Sequence, residues 1–270
     1  MAAMTFALNH MVAPALDLGA FIATARALGI SKIEIRNDLA GNAILDGTTP
    51  EKVRALTHEA GIEIISINAL QRFNEWTPER EREARDLAHY AAACGARALV
   101  LVPVNDGSGK ADGERQANLR RALEGLKPIL EASNIIGLVE PLGFGICSLS
   151  SKREAAEAIR DTGGTGRFNL VHDTFHHHLA GEPDLFPDLT GLVHISGVDD
   201  PAVSVGDMLD AHRVMVGSGD RLDNIGQIKA LLAAGYDGPF SFEPFAAEVH
   251  AHKDPAPMIR DSIAYISGAV

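Results

Sequence analysis

The sequence repeats one kind of junction, in which a glycine or asparagine closes a helix-like stretch just before a run rich in β-branched residues. These junctions lie at Gly29, Gly61, Gly95, Asn134 and Gly235. Gly and Asn tolerate the left-handed backbone conformation at a helix C-terminus, so each one marks a passage from helix to strand. The intervals are 32, 34 and 39 residues, followed by 101 residues, which fits three more units of similar size. We therefore expect eight strand–helix units.

The runs after these junctions predict the strands. They are 5–9, 32–36, 63–68, 98–103, 135–140, 168–172, 192–196 and 240–243. Several are continuously apolar, which is typical of parallel strands that are covered on both faces. Eight such units predict a single-domain α/β protein, a (β/α)8 TIM barrel over residues 1–270, with its active site at the C-terminal ends of the strands. The alternative is an open doubly wound sheet, whose nucleotide-binding form is disfavoured because no GxGxxG follows an early strand.

Composition excludes several classes of function. The net charge of −12 over 270 residues disfavours a nucleic-acid surface, which needs a basic stripe. The longest apolar runs have only the length of a strand, so no membrane span is expected. Cys94 and Cys147 form no spaced framework, and the N-terminus lacks the pattern of an export signal. These features predict a soluble, cytoplasmic protein that binds neither nucleic acid nor membrane, and they leave a homo-oligomer open.

Four chemically distinctive residues each end an apolar run. Glu140, Asp173, His194 and Glu243 follow the predicted fifth to eighth strands, and Asp173 lies within the histidine-rich stretch 171–178. Neighbouring strand ends converge in a barrel, so the four side chains can meet at one ion. Three carboxylates and one imidazole suit a single divalent metal ion such as Mn²⁺, Mg²⁺, Co²⁺ or Zn²⁺. The alternative for any one of them is a strand-end residue in contact with water.

Five further residues are candidates for substrate binding. His176 follows Asp173 by three residues and can face the same cavity, and Arg213 lies in the long loop after the seventh strand. Asn68 and His10 are polar residues at strand ends, and Trp76 could form an apolar wall against a sugar ring or simply pack its loop. Other strand-end residues are interpreted only as polar lining, namely Asn9, Glu34, Arg36, Asn37 and Gln71.

Taken together, these motifs resemble the xylose-isomerase-like barrel superfamily of sugar isomerases and epimerases over essentially the whole chain. In that family the last four strands end in Glu, Asp-x-x-His, His and Glu, and a substrate-binding Arg precedes Gly-x-Gly-Asp. Glu140, Asp173 with His176, His194, Glu243 and Arg213 match these positions. The segments Val-Glu-Pro, Lys-Ile-Glu-Ile-Arg-Asn-Asp-Leu and Gly-Tyr-Asp-Gly-Pro are most similar to the inosose (2-keto-myo-inositol) isomerase branch. The segment His194-Ile-Ser-Gly-Val-Asp departs from the His-x-Lys-Asp or His-x-Asp-Asp of many relatives.

The resemblance implies a metal-dependent isomerase or epimerase of carbohydrate metabolism, in inositol catabolism if the branch is correct. Its substrate would be a ketose or an inosose-like cyclic keto-polyol. Glu140 and Glu243 would be the catalytic pair, one removing and the other returning a proton through a metal-chelated enediolate. The alternatives are a metal-dependent dehydratase of keto-polyols and a non-catalytic barrel that binds sugar or metal.

Overall fold

The computed structural model describes residues 4–270 and contains a closed barrel of eight parallel strands in sequential order. Each strand pairs with the next one along the chain, and the eighth pairs with the first. The predicted (β/α)8 barrel is therefore confirmed. The strands are β1 (Phe6–Asn9), β2 (Lys32–Arg36), β3 (Glu63–Gln71), β4 (Ala98–Val102), β5 (Ile136–Val139), β6 (Phe168–Asp173), β7 (Thr190–Ile195) and β8 (Phe240–Phe242).

Helices follow the strands and form the outer layer. Their bounds are α1 (Leu18–Ala27), α2 (Pro50–Ala60), α3 (Pro78–Cys94), α4 (Glu114–Ser133), α5 (Lys152–Asp161), α6 (Thr174–Ala180), α7 (Asn224–Ala233), α8 (Ala247–His250) and α9 (Ala256–Ala269). Thr49 and Thr77 cap the N-termini of α2 and α3, and Gly61 and Gly95 end the same helices in the left-handed conformation. None of the helices within residues 4–270 has both the length and the apolar character needed to cross a bilayer.

The third strand is longer than predicted. We expected it to end at residue 68, but Leu70 and Gln71 continue β3 and pair with Leu101 and Val102 of β4. The β3–α3 connection is correspondingly shorter. The long connection after β7 is present and covers residues 196–223, with two short 3-10 turns.

The inside of the barrel has an apolar lower layer and a polar upper layer. The lower layer is a cluster that includes Ala7, Val100, Leu138, Val171 and Leu192, separate from the larger core between sheet and helices. Inward-facing residues nearer the C-terminal ends of the strands are polar and fully buried, as Glu34, Ser66, His194 and Ser241 show. Charged side chains at this depth need paired partners, so the polar layer is where a functional site is expected.

The packing of Trp76 gives a test of the outer layer. Its indole ring lies against Gly125 of α4, where a Cβ atom would overlap the ring. Gly268 of α9 is also helical but has no atom within 4 Å of its Cβ position.

We predict that Gly125→Ala destabilises the protein by about 1–3 kcal/mol, the usual cost of overpacking a well-filled site. The matched change Gly268→Ala should leave stability unchanged or raise it by up to about 1 kcal/mol, because alanine is the better helix former. Urea unfolding followed by circular dichroism measures both values. Equal stabilisation by the two substitutions would contradict the packing of Trp76 against α4.

Candidate metal centre and active-site cavity

Strand alternation brings the four predicted ligands to the inner face of the barrel. Successive strand residues point to opposite faces, so a residue two positions after an inward-facing one also points inward. The pairs are Leu138 and Glu140, Val171 and Asp173, Leu192 and His194, and Ser241 and Glu243. The strand register pairs Asp173 with His194 directly, and His194 with Ser241. All four side chains therefore point into the barrel near the C-terminal ends of their strands.

The four side chains form one buried cluster. One ligand atom from each of Glu140, Asp173, His194 and Glu243 lies within 4.8 Å of all the others. His194 Nδ1 is 2.9 Å from Glu140 Oε1, 3.2 Å from Glu243 Oε2 and 3.9 Å from Asp173 Oδ2. The imidazole nitrogen thus faces all three carboxylates.

A fifth charged residue, Glu34 of β2, lies on the other side of the imidazole. Both of its oxygens are 3.1 Å from His194 Nε2. Ser66, Asn68 and Ser241 also donate hydrogen bonds to this carboxylate. Burial would raise the pKa of Glu34, but His194 and these donors outweigh burial and hold the pKa below its ordinary value. Glu34 is therefore a carboxylate that orients His194.

These residues fit a divalent metal ion. In a neutral imidazole whose Nε2–H donates to Glu34, Nδ1 carries a lone pair directed at the three carboxylates, as metal-binding histidines with a carboxylate partner do. Burial would lower the pKa of His194, but Glu243, Glu34 and Glu140 raise it well above its ordinary value. The cluster thus attracts a positive charge to Nδ1. A divalent ion there would replace that proton, with nitrogen and oxygen donors of the type that Mn²⁺, Mg²⁺, Co²⁺ and catalytic Zn²⁺ accept.

Two buried arginines hold Glu243. Arg213 Nη2 is 3.2 Å from Glu243 Oε2 and 2.6 Å from Asp173 Oδ2, and Arg36 Nη1 is 2.8 Å from Glu243 Oε1. Asn9 donates to the same Oε1 at 3.1 Å. Burial alone would raise the pKa of Glu243, but His194, Arg213 and Arg36 hold it well below its ordinary value.

Glu140 has a different environment. His194 is its one side-chain partner by hydrogen bond among the described residues. Burial raises the pKa of Glu140 above its ordinary value, and the negative charges of Glu243 and Asp173 act in the same direction. Of the two carboxylates predicted to be catalytic, Glu243 is therefore held tightly by two arginines, and Glu140 is held mainly by the His194 imidazole.

Above the cluster lies a cavity of about 240 Å³ at the C-terminal end of the barrel. Glu140 and Glu243 line it, together with Asn68, His176 and Arg213, three of the residues predicted to bind substrate. The His176 ring is buried, and its Nδ1 has no hydrogen-bond partner within residues 4–270. His176 lines the cavity, so a ligand hydroxyl there could bond to its imidazole.

The structure places the other two predicted substrate-binding residues outside the lining of this cavity. His10 stacks on Phe21 with ring centroids 4.1 Å apart, and its Nε2 lies 2.9 Å from the carbonyl oxygen of Leu16. Burial lowers the pKa of His10 to about 4, so it is a neutral core residue at physiological pH. Trp76 packs on α4, the simpler of the two alternatives for that residue.

His172 lies on the outer face of β6, as alternation with Asp173 requires. Its Nε2 is 2.9 Å from Gln227 Oε1, and its Nδ1 is 2.8 Å from Lys152 Nζ. The Gln227 amide nitrogen donates to two backbone carbonyls, so its oxygen must accept from His172 Nε2–H. Burial lowers the pKa of Lys152 to about 7. Lys152, His172 and Gln227 thus form a hydrogen-bonded group on the outer face of β6, on the side of the strand away from the cluster.

Three residues of the site received no specific role from the sequence. They are Glu34, Arg36 and Phe245. Glu34 and Arg36 are two residues apart on β2 and so share the inner face, a signal that alternation could have supplied. Phe245 follows Glu243 by two residues and lies under both guanidinium groups, with its ring centroid 4.7 Å from Arg213 Cζ and 5.6 Å from Arg36 Cζ.

Several solved structures share this architecture. A xylose isomerase domain containing protein from Salmonella typhimurium LT2 is 33% identical, with a TM-score of 0.91 over 98% of this chain and 97% of that one. The IolI protein with a bound zinc atom is 20% identical, with a TM-score of 0.88 over 99% of both chains. A D-allulose 3-epimerase from Methylomonas sp., in complex with D-allulose, is 20% identical, with a TM-score of 0.74 over 99% of this chain and 97% of that one.

No curated protein matches the sequence. The family model described as "Xylose isomerase-like TIM barrel" matches residues 22–268, which is nearly the whole chain. The chain therefore belongs to the xylose isomerase-like TIM-barrel family.

Proposed function

We propose that the protein is a divalent-metal-dependent isomerase or epimerase of a ketose or a cyclic keto-polyol, with an inosose as the first substrate to test. The reaction moves a proton on the carbon next to a carbonyl group. The observation that carries this proposal is the presence of Glu140 and Glu243 on the cavity wall, each within 3.2 Å of His194 Nδ1. Epimerisation next to a carbonyl uses one group on each face of the carbon, one to remove the proton and one to return it.

The size and lining of the cavity support a small polyol. Its volume of about 240 Å³ lies below the roughly 300–1,000 Å³ of pockets for drug-sized ligands. Asn68, His176 and Arg213 offer hydrogen-bonding groups to hydroxyl and carbonyl oxygens. The sugar epimerases among the structural relatives, including the one with bound D-allulose, support the same substrate class.

The roles of the residues follow from their positions. Asp173 and His194 hold the metal with Glu140 and Glu243, and Glu34 fixes the imidazole. The ion, when bound, polarises the substrate carbonyl and stabilises negative charge on oxygen. One of Glu140 and Glu243 takes the proton from carbon, and the other delivers it. Arg213 keeps Glu243 and Asp173 in place and orients substrate oxygens, and the His176 imidazole bonds to a substrate hydroxyl.

We expect removal of metal by EDTA to abolish solvent-deuterium incorporation into 2-keto-myo-inositol and a panel of ketoses, and Mn²⁺ or Zn²⁺ to restore it. Metal at 100 times its Kd should also stabilise the fold by about 2.7 kcal/mol, measured by thermal unfolding. Full activity after chelation would refute the metal-dependent mechanism. A product lighter by one water, seen by mass spectrometry, would identify a dehydratase instead.

Glu243→Gln should lower the rate of deuterium exchange by ~10²–10⁴-fold at saturating metal, since general acid–base groups contribute about this much. The control is Glu248→Gln, an exposed carboxylate on α8, which should leave the rate unchanged. Metal content is measured in parallel, so that loss of the ion is distinguished from loss of proton transfer. Full turnover by a metal-loaded Glu243→Gln variant would remove Glu243 from the proton-transfer step.

Glu34→Gln should weaken metal binding by roughly 10–100-fold, the usual effect of losing the carboxylate behind a metal-binding histidine. The matched control is Glu63→Gln, because Glu63 begins β3 at the opposite end of the barrel and pairs with Lys32. Calorimetric titration with Mn²⁺ gives the affinities. Unchanged affinity in Glu34→Gln would show that His194 is oriented without this carboxylate.

A further inference from the structure

An apolar groove of about 750 Å³ lies beside the active-site cavity. It is formed by the loop after β5 (residues 140–151), the loop after β7 (residues 196–223) and one side of α6. Its apolar lining consists of Phe144, Ile146, Leu179, Val205, Met208 and Leu209.

Exposed hydrophobic side chains are concentrated in this groove. Among residues 4–270, four large hydrophobic side chains are exposed, and three of them line this groove. Ile146 is 52% exposed, Val205 42% and Leu209 56%. Single exposed apolar residues are ordinary, but a contiguous exposed patch beside a polar cavity marks a surface that binds something apolar.

The groove adjoins the cavity above the four-residue cluster. Asn105, Phe144 and Asp210 line both. The Phe144 ring contacts His176 edge-on, with centroids 5.1 Å apart, and it lies on the groove side of that histidine. A ligand that extends from the cavity into the groove would therefore pass Phe144.

The two spaces differ in chemistry. The cavity presents charged and hydrogen-bonding groups, whereas the groove presents methyl, methylene and phenyl surface apart from its shared polar edge. One ligand that fills both must be polar at one end and apolar at the other. A substrate with no apolar part would leave Ile146, Val205 and Leu209 in water.

We propose that the groove is a subsite for an apolar or aromatic substituent of the substrate, so that the natural substrate is a keto-polyol ring carrying such a group. This inference rests on the proposed function for the nature of the ring. The substituent would lie between Phe144 and Leu209, with the ring at Glu140 and Glu243.

The test compares two probes with the same ring, the methyl and phenyl β-glycosides of 3-ketoglucose, on Mn²⁺-loaded protein. Isothermal titration calorimetry should show the phenyl glycoside binding at least about tenfold more tightly, since small apolar groups in apolar pockets are worth roughly 10–200-fold. Deuterium exchange next to the ketone is followed separately, so that binding in the groove and the proposed reaction are judged independently.

The variant Ile146→Ser with Leu209→Ser should reduce the preference for phenyl over methyl to about threefold or less, with methyl binding unchanged. Both side chains are exposed in loops, so neither is needed for the core. The control is Leu45→Ser, which alters a side chain that is 55% exposed but outside the groove and should keep the full preference.

Equal affinity of wild type for the two probes would overturn the subsite, and exchange of both probes would still support the proposed reaction. Tighter phenyl binding without exchange in either probe would support the subsite and refute the reaction. Equal affinities together with a dimer that the double serine variant dissociates, seen by analytical ultracentrifugation, would assign the groove to a second copy of the chain and overturn the proposal.

Discussion

The rest of the site depends on the His194 imidazole, which lies between Glu34 on one side and the carboxylates of Glu140, Asp173 and Glu243 on the other. A buried charge needs partners, and each ring nitrogen of His194 has one. Glu34 in turn needs donors, which Ser66 and Asn68 of β3 and Ser241 of β8 supply. The polar upper layer of the barrel is therefore a single network that joins strands far apart in sequence and lies below the cavity.

The two arginines of the cavity are already satisfied by carboxylates. On its inner side Arg36 donates a hydrogen bond to Glu243. On its outer side it donates two hydrogen bonds to Asp38, with lengths of 2.8 and 2.7 Å. Arg213 has the same arrangement, with Asp210 as its outer partner at 3.2 Å. A phosphate or carboxylate on the substrate would have to displace an aspartate to reach either guanidinium group. The cavity thus suits uncharged hydroxyl and carbonyl oxygens, and the arginines act chiefly by holding the cluster.

The barrel and the four-residue cluster were predictable from the sequence because both depend on local rules. Helix ends marked by glycine or asparagine repeat with the length of a βα unit, and strand alternation assigns Glu140 or His194 to the inner face without knowledge of any contact. The role of Glu34 could not be assigned because its partners come from β3, β7 and β8. The position of Trp76 depends on a gap beside Gly125, a residue 49 positions away that leaves no sign in the local pattern.

One segment of the β7–α7 loop controls both the charged cavity and the apolar groove. Met208 is buried, Leu209 faces the groove, and Asp210 lies at the shared edge with its carboxylate on Arg213. The backbone carbonyl of Arg213 accepts from the amides of Phe245 and Ala246, which ties this segment to the chain just after Glu243. A backbone shift of this segment would therefore reach Arg213 and the carboxylates that it holds. Because the barrel network below needs none of these loop residues except Arg213, the rest of the loop can vary while the cluster of Glu140, Asp173, His194 and Glu243 stays the same.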